Sequence, residues 1–269
     1  HFYPGSVILS VGSVGCNLRC KFCQNWGISQ TCAEEYPYLK PVSSEEIIKM
    51  AGERHDNAGI AYTYNEPVVW FEFMMDIARK SKEAGLRNVM ISNGYVNTSP
   101  LMEILEVMDA FNIDLKGFTE DFYRRVTSAR LQPVKDTVRM IRKNGRHLEL
   151  THLVVTGLND DEGTFEEMVK WIGGELGPDT PLHLSRYFPN FEMENKATPL
   201  PKLLQLYELA TQYLHYVYLG NVAADEGRIT VCPACGANLI ERIGYSTYKK
   251  GLDAGGKCRK CGKEVISYI

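Results

Sequence analysis

Long apolar runs, a recognisable secretory leader and low-complexity tracts are all missing from this sequence of 269 residues. No run approaches the roughly 20 apolar residues that a bilayer-spanning helix needs, so we expect no membrane partner. Strong charge bias is also lacking, since the formal net charge is −3. What is present is ample core material, with 44% hydrophobic and 23% charged residues. Length and composition allow one large α/β domain or two smaller ones.

Cysteine is present, but not in the pattern of a disulfide framework. The eight cysteines form an N-terminal trio, two C-terminal pairs and one isolated residue: Cys16, Cys20 and Cys23; Cys232 with Cys235 and Cys258 with Cys261; and Cys32. Clusters at spacings of three and four residues are typical of metal-ligand sites in a reducing compartment. We therefore predict metal sites and a cytoplasmic location.

The charge is unevenly distributed along the chain. From Arg228 to the end, eight Lys and Arg residues face three acidic ones, so this tail carries +5 and the preceding part carries −8. Such an asymmetry marks a domain boundary. We predict a main domain over residues 1–226 and a small tail domain over 227–269.

Apolar β-rich runs alternate with helical patterns through the main domain. The predicted strands are 6–16, 59–64, 87–92, 110–116, 147–157 and 181–189, and helices are predicted after Ser43, Pro67 and Pro100 and at about 133–144, 160–176 and 200–214. Alternation at about 30 residues per unit predicts parallel strands with right-handed crossovers. Six units are too few for a complete eight-fold barrel. The pattern therefore predicts an α/β fold that is either an incomplete barrel or an open doubly wound sheet.

Polar and ionisable residues follow at least five of these strands. They are Cys16, Asn65-Glu66, Ser92-Asn93-Gly94, Asp114-Leu115-Lys116 and Ser185-Arg186-Tyr187. Parallel α/β sheets and barrels place their active sites at the carboxyl ends of strands. Loops are polar in any case, but five coinciding strand ends favour a functional site.

The N-terminal cysteine trio is the strongest local signal. Three thiolates in eight residues suit an iron–sulfur cubane, which is normally held by four cysteines, so three would leave one iron open to another ligand. Structural zinc is the main competitor, but it usually takes four protein ligands from paired knuckles. A fourth ligand from Cys32 would instead give a closed, electron-transfer cluster.

The CxxxCxΦC motif, with Phe22 before the last cysteine, resembles the signature of the radical S-adenosylmethionine (SAM) superfamily. The sequence is most similar to the AmmeMemoRadiSam-system radical SAM enzymes, relatives of the pyruvate formate-lyase activating enzymes. The matching segments are 1–6 (HFYPGS), 14–26 (VGCNLRCKFCQNW), 61–67 (AYTYNEP), 114–117 (DLKG), 182–189 (LHLSRYFP) and 218–221 (YLGN).

The resemblance implies a fold, two cofactors and a reaction. The fold would be a partial (β/α)6 TIM-like barrel with a [4Fe–4S] cluster at its mouth, whose open iron chelates the amino and carboxylate groups of SAM. Reduction by a low-potential donor of the flavodoxin or ferredoxin type would cleave SAM to a 5′-deoxyadenosyl radical, which abstracts a substrate hydrogen. The protein would position this chemistry and exclude water.

The resemblance also implies the roles of individual residues. Cys16, Cys20 and Cys23 would be the catalytic cluster ligands. The implied SAM-binding residues are Phe22 and Gln24 along the adenine; Asn65 and Glu66, with Glu66 on the methionyl amine; Ser92 and Asn93 at the ribose or carboxylate; Asp114 and Lys116 at the methionyl end and ribose; and Arg186. In place of the usual Gly-Gly-Glu this chain has Tyr64-Asn65-Glu66, and Phe188 stands where many relatives have His. Facing the substrate is one role open to four further residues, which we interpret instead as packed, hydrogen-bonded barrel residues: His152, His183, Tyr62 and Tyr64.

The tail carries two CxxC knuckles, each followed by glycine. Cys232, Cys235, Cys258 and Cys261 in this arrangement predict a zinc ribbon, with Zn²⁺ as a structural clamp for a segment that lacks a core. A rubredoxin-like iron or an auxiliary cluster is the alternative. The neighbouring basic residues, Lys257, Arg259, Lys260 and Lys263, form either a solvated face, which is the preferred interpretation, or a docking surface for an acidic partner or nucleic acid.

Three functions follow in order of preference. The first is a radical SAM enzyme acting on an unidentified small-molecule or protein substrate. The second is a glycyl-radical-enzyme activase, which would need a barrel mouth open to a peptide loop. The third, from another class, is a non-catalytic iron–sulfur or zinc-binding module; nucleic acid would be its partner and is not expected for the enzyme.

Overall fold

The computed structural model describes all 269 residues, and their contacts divide the chain into two compact units. The first comprises residues 7–148 and 188–196, and the second comprises residues 1–6, 149–187 and 197–269. The N-terminal cysteine trio lies in the first unit, and the two C-terminal pairs lie in the second. The predicted boundary after residue 226 stays a prediction.

Ten strands form two sheets. They are β1 (Val7–Val11), β2 (Asn57–Tyr62), β3 (Arg87–Ser92), β4 (Ala110–Asp114), β5 (His147–Val154), β6 (Leu182–Arg186), β7 (Val217–Gly220), β8 (Ile229–Val231), β9 (Asn238–Ile243) and β10 (Ser246–Tyr248). The first seven are parallel and follow one another in the sheet in chain order, from β1 to β7. A doubly wound sheet would reverse its order at a switch point, so this topology is that of a partial barrel.

Helices connect these strands as predicted. The α-helices are α1 (Trp26–Ser29), α2 (Ser44–Gly52), α3 (Phe71–Glu83), α4 (Thr98–Val107), α5 (Glu120–Phe122), α6 (Leu131–Lys143), α7 (Glu162–Trp171) and α8 (Leu200–Thr211). None is long and apolar enough to cross a membrane. Ser43 begins α2 with the predicted capping box, because its hydroxyl accepts from the Glu46 amide at 3.2 Å while the Glu46 carboxylate accepts from the Ser43 amide at 2.8 Å.

The predicted partial barrel is confirmed, with differences in strand number and strand length. The predicted strands 110–116, 147–157 and 181–189 end earlier than expected, at Asp114, Val154 and Arg186. The sheet has a seventh strand, β7, which the periodicity did not reveal. The predicted strand 6–16 is also too long, because β1 ends at Val11 and the chain then turns at Gly12 and Gly15, the latter with φ +91°. Cys16 therefore lies in a loop beyond the strand end, where its side chain is not fixed by strand pairing.

The C-terminal residues form a separate small sheet in the second unit. Strands β8, β9 and β10 pair antiparallel in the order β10-β9-β8. Six residues form the buried core beneath them: Cys232, Leu239, Ile240, Leu252, Cys258 and Ile266. A core this small rarely holds a fold together without a disulfide or a metal.

Candidate functional site

The loop after β1 carries the cysteine trio and is pinned along its length. The amides of Arg19 and Lys21 donate to the carbonyls of Thr127 and Val126 at 3.1 and 3.0 Å, and the Gly15 amide donates to Ile28 at 2.8 Å. The loop is therefore held by backbone bonds that do not depend on the identity of its side chains.

The three thiols of this loop are screened from solvent to different degrees. Cys20 is buried, whereas Cys16 and Cys23 are half-buried. Burial raises the pKa of Cys20 to about 12 and also raises the pKa of Cys16. Both thiols therefore lose their protons less readily than a free cysteine does. The positive charge of bound iron would stabilise the thiolate form that ligation requires. The trio fits an iron–sulfur cluster in its donor chemistry.

Cys32, the alternative fourth ligand, is exposed on the segment after α1. A hydrogen bond with the Glu34 side chain raises the pKa of its thiol. Bound iron would deprotonate Cys32 as it would Cys20, so this pKa shift does not separate the two alternatives, and the three-cysteine ligation stays a prediction.

Glu66 ties the ends of two strands together. Its fully buried carboxylate accepts hydrogen bonds from the Ser92 hydroxyl and the Asn93 amide, each at 2.8 Å, and from the Val68 amide at 3.2 Å. Burial raises the pKa of Glu66 to about 7, even though these hydrogen bonds act to lower it. Three of about four acceptor positions on the carboxylate are thus used by the protein, which leaves one for a ligand.

Asn93 in turn lies against the cysteine loop. Its side-chain amide donates to Oδ1 of Asn17 at 2.8 Å and approaches Sγ of Cys16 at 3.8 Å. Its own Oδ1 accepts from the Tyr95 amide at 2.8 Å. The chain of contacts from Glu66 through Asn93 therefore ends at a predicted cluster ligand. Asn17, which holds Asn93 in place, was not predicted, because its role depends on a residue 76 positions away.

A cavity of about 270 Å³ opens at the carboxyl ends of β2, β3 and β4. It is lined by Asn25, Thr63, Tyr64, Asn65, Ile91, Ser92 and Asp114. Tyr64 and Asn65 both have left-handed backbone conformations, with φ of +56° and +52°, which are uncommon for residues other than glycine. Tyr64 is 52% exposed, so its interpretation as a packed barrel residue is wrong.

Asn65 presents an unpaired oxygen at this cavity. Its side-chain nitrogen donates to the carbonyls of Ser13 at 2.5 Å and Ile28 at 3.2 Å. Its Oδ1 is buried and has no partner. A buried acceptor without a donor is unfavourable by about 1–3 kcal/mol, so this atom fits a ligand that carries an N–H or O–H group.

Asp114 and Lys116 place opposite charges side by side at the end of β4. Nζ of Lys116 lies 2.8 Å from the Asp114 carboxylate and 5.8 Å from the centre of the Phe22 ring. Burial by itself lowers the pKa of Lys116, but the neighbouring Asp114 and Cys20 raise it above its usual range, so the ammonium persists. This pair can orient a zwitterion such as the methionyl end of SAM, and the residues present therefore fit that cofactor.

The other residues predicted to contact SAM do not line this cavity. Phe22 is buried and packs against Phe122, with ring centres 6.4 Å apart, while Gln24 is exposed. Arg186 belongs to the second unit, where its Nε donates to the Thr198 carbonyl at 2.8 Å. Phe188, at the position where many relatives have His, is 42% exposed.

The four C-terminal thiols converge on one point. Sγ of Cys232 is 3.5 Å from Sγ of Cys261, Sγ of Cys235 is 3.7 Å from Sγ of Cys258, and all four atoms lie within 4.8 Å of one another. Tetrahedral Zn²⁺ with Zn–S bonds of about 2.3 Å separates its sulfurs by about 3.8 Å. The ribbon therefore forms a single-ion cage.

Backbone geometry supports this cage. The amides of Gly236 and Gly262 donate to the carbonyls of Cys232 and Cys258, both at 2.8 Å, and both glycines have positive φ. Burial acts to raise the pKa of Cys232, but hydrogen bonds from the amides of Ala234 and Cys235 lower it to about 7. Glycine after each knuckle thus permits the predicted turn.

The buried Glu66 carboxyl makes a testable contribution to stability. Its pKa is raised on folding, so the unfolded state loses its proton at lower pH than the native state, and stability falls as pH rises from about 4.5 to about 7. Glu66→Gln removes this dependence. We expect the difference in unfolding free energy, wild type minus variant, to fall by about 2–3 kcal/mol between pH 5 and pH 8.

Urea unfolding of both proteins across this pH range measures the effect. Glu72→Gln, at an exposed position on α3, is the matched control and should leave the pH dependence unchanged. Parallel pH profiles for wild type and Glu66→Gln would show that the Glu66 carboxyl titrates normally in the folded protein.

The chain belongs to the radical SAM superfamily. The family model described as "Radical SAM superfamily" matches residues 10–172, which is more than half of the chain and includes the cysteine trio and the Glu66, Asn93 and Lys116 positions. The predicted membership of the radical SAM superfamily is therefore confirmed.

Relatives extend this result over nearly the whole chain. An uncharacterized protein of Methanocaldococcus jannaschii, MJ0808, is 42% identical over 268 residues, covering 98% of this chain and 79% of that protein. The pyruvate formate-lyase-activating enzyme of Clostridium pasteurianum and pyruvate formate-lyase 1-activating enzyme of Escherichia coli are each 24% identical. These matches cover 59% and 55% of this chain, and the chain spans 66% and 61% of those two enzymes.

Solved structures share the fold. Streptococcus suis SuiB bound to S-adenosylmethionine has a TM-score of 0.64 at 13% identity, covering 83% of this chain and 51% of that chain. A domain of pyruvate-formate lyase-activating enzyme from Bacteroides vulgatus has a TM-score of 0.54 at 16% identity. The match covers 61% of this chain and 99% of that domain. At these identities the likeness concerns the fold alone.

Proposed function

We propose that this protein is a radical SAM enzyme that cleaves SAM reductively and uses the product to abstract a hydrogen atom from its substrate. Cys16, Cys20 and Cys23 would hold a [4Fe–4S] cluster. Together with SAM, that cluster supplies the 5′-deoxyadenosyl radical that the superfamily uses for hydrogen abstraction. The observation that carries the proposal is the position of the trio, in the same unit as a cavity lined by an unpaired Asn65 oxygen and by Asp114.

We assign SAM binding to residues around this cavity and at the strand ends. Asn65 would accept a hydrogen bond from the methionyl amine through its unpaired Oδ1, and Glu66 has one acceptor position left for the same group. Asp114 and Lys116 would hold the charged groups of the methionyl end. The other proposed contacts are Phe22, Gln24, Ser92, Asn93 and Arg186.

Glu66 would also position other cofactor residues. Its carboxylate holds the Ser92 hydroxyl and the Asn93 amide, and Asn93 reaches toward Cys16. Residues behind the ligands of a metal commonly orient those ligands. We therefore infer that Glu66 orients Cys16 through Asn93 besides contacting SAM.

A glycyl-radical-enzyme activase is the second candidate. The pyruvate formate-lyase-activating enzymes among the relatives favour it, as does the 4-hydroxyphenylacetate decarboxylase activating enzyme of Clostridium scatologenes, which is 20% identical over 56% of this chain. The substrate would then be a protein. Either function needs a low-potential electron donor of the flavodoxin or ferredoxin type, and such a cluster is best maintained in a reducing cytoplasm.

We further propose that the four ribbon thiols bind Zn²⁺ with a structural role. Zinc in tetrahedral sulfur coordination matches the sulfur separations of 3.5 and 3.7 Å. Zinc has no redox chemistry, so this ion would not exchange electrons with the N-terminal cluster.

Anaerobic reconstitution with iron and sulfide tests the main proposal. After reduction with dithionite, the protein should release 5′-deoxyadenosine from SAM, and SAM should change the electron paramagnetic resonance spectrum of the reduced cluster. A spectrum unaffected by SAM, together with no nucleoside release, would contradict the proposal and favour a closed electron-transfer cluster.

A further inference from the structure

A second, larger cavity lies within the second unit, and its lining includes none of the residues assigned to the cluster or to SAM. Its volume is about 720 Å³. The walls are the side chains of β6 and β7, the segment 222–228, and the end of β9, with His183, Tyr218, Val222, Ala224, Arg228 and Arg242 among the lining residues. Cavities of this size are typical of small-molecule sites.

Arg242 brings an unpaired positive charge to this cavity. One terminal nitrogen of its guanidinium donates to the Thr230 hydroxyl at 2.9 Å, and the group lies 4.8 Å from the centre of the Tyr218 ring. No carboxylate forms an ion pair with it. A half-buried guanidinium without a carboxylate still has several donors to satisfy, because arginine carries five N–H groups.

Arg228 is a second guanidinium in the lining, but its charge is already matched. Its Nη1 lies 2.6 Å from the Asp225 carboxylate, while its Nε is buried and has no hydrogen-bond partner. The lining also contains the Glu226 carboxylate. The cavity thus offers one guanidinium without an ion pair, at Arg242, and one additional unpaired N–H donor, at Arg228.

The other walls limit what can bind. Leu219, Val222, Ala223, Ala224 and Ile243 contribute apolar surface. The His183 ring is oriented by Glu149, whose carboxylate lies 2.6 Å from Nε2, so this ring nitrogen already has a hydrogen-bonding partner. An apolar ligand body therefore has space beside the guanidinium.

We propose that this cavity binds a small organic carboxylate with an apolar body, whose carboxylate pairs with Arg242. A guanidinium matches a carboxylate in planar, bidentate geometry. Because the carboxylates of Asp225 and Glu226 also line the cavity, a monoanion meets less repulsion there than a phosphate dianion would. The lining contains no predicted cluster ligand, so occupancy of the cavity can be measured separately from SAM cleavage.

Saturation-transfer NMR on the full-length, metal-loaded protein tests this inference. Phenylacetate is the probe, phenylacetamide is its uncharged match, and phenyl phosphate tests the alternative anion. We expect saturable binding of phenylacetate, with phenylacetamide and phenyl phosphate each weaker. Arg242→Gln should weaken phenylacetate binding by about tenfold or more, since it removes a charge-assisted bidentate contact.

Two further variants keep the test decisive. Lys250→Gln removes a ribbon lysine that pairs with Glu241 at 2.5 Å and should not affect binding. Ala224→Phe adds bulk to the lining without changing its charge and should also weaken phenylacetate binding. It provides a second test of the site in case Arg242→Gln misfolds. Equal binding of acid and amide, tighter binding of phenyl phosphate, or binding unaffected by both Arg242→Gln and Ala224→Phe would overturn the proposal.

Discussion

Replacing Cys20 with alanine is expected to abolish SAM cleavage, lowering 5′-deoxyadenosine release by more than about a hundredfold. The cluster would be left with two protein ligands, and the most deeply buried of the three thiols would be lost. The loop itself should remain in place, because Lys21 still donates its amide to Val126 at 3.0 Å. Cleavage is measured by chromatography of the nucleoside after anaerobic reconstitution.

Cys32→Ala is the matched control for this prediction. Both variants exchange a single thiol for a methyl group, but Cys32 is exposed and not one of the predicted ligands. We expect Cys32→Ala to retain its iron and to cleave SAM at a rate close to that of wild type. If Cys32→Ala lost the cluster to the same extent as Cys20→Ala, then four cysteines would hold it and no iron would be open to SAM.

The fold was largely predictable because each strand–helix unit carries its own local signals. The capping box at Ser43 and Glu46 and the alternation of apolar runs identify these units without tertiary information. The seventh strand was missed because Val217–Gly220 is only four residues long. Its place in the sheet comes from pairing with β6, which is a long-range contact.

The site was predictable in its composition but not in its internal connections. Cys16 was predicted from the specific cysteine spacing, and Asn65 was predicted because it follows a strand and matches a motif position of the superfamily. The hydrogen bonds that the Glu66 carboxylate accepts cannot be predicted in this way, since its donors Ser92 and Asn93 are 26 and 27 residues distant. Which acceptor remains unpaired, as at Oδ1 of Asn65, is likewise decided only by packing.

The basic residues of the tail show the same limit of prediction from sequence. Lys257, Arg259, Lys260 and Lys263 are exposed, which agrees with a solvated face. Arg242 has the same charge but lies over the Tyr218 ring beside a cavity. Composition alone does not separate these two environments, because the difference depends on which side chains surround each cation.

Removing the proposed zinc ion from the four-cysteine cage is expected to unfold the C-terminal sheet. The six-residue core around Leu239 and Ile240 is too small to fold by itself, whereas a structural zinc site contributes about 10–16 kcal/mol in isolated peptides. Cys258→Ser removes one buried ligand of the cage. We expect this variant to lose the zinc and to lose protection of the amides of β8, β9 and β10 against hydrogen exchange by at least about a hundredfold.

Mass spectrometry of hydrogen exchange, with zinc content measured on the same samples, distinguishes a metal-dependent ribbon from one held by its own packing. Ser246→Ala, at an exposed position of β10, is the control and should retain both zinc and protection. Because β1 to β4 belong to the other unit and have their own buried core, their amides should stay protected in Cys258→Ser. Protection of β9 that persisted after complete loss of zinc would mean that the six core residues suffice, and the metal would then need a role other than a structural one.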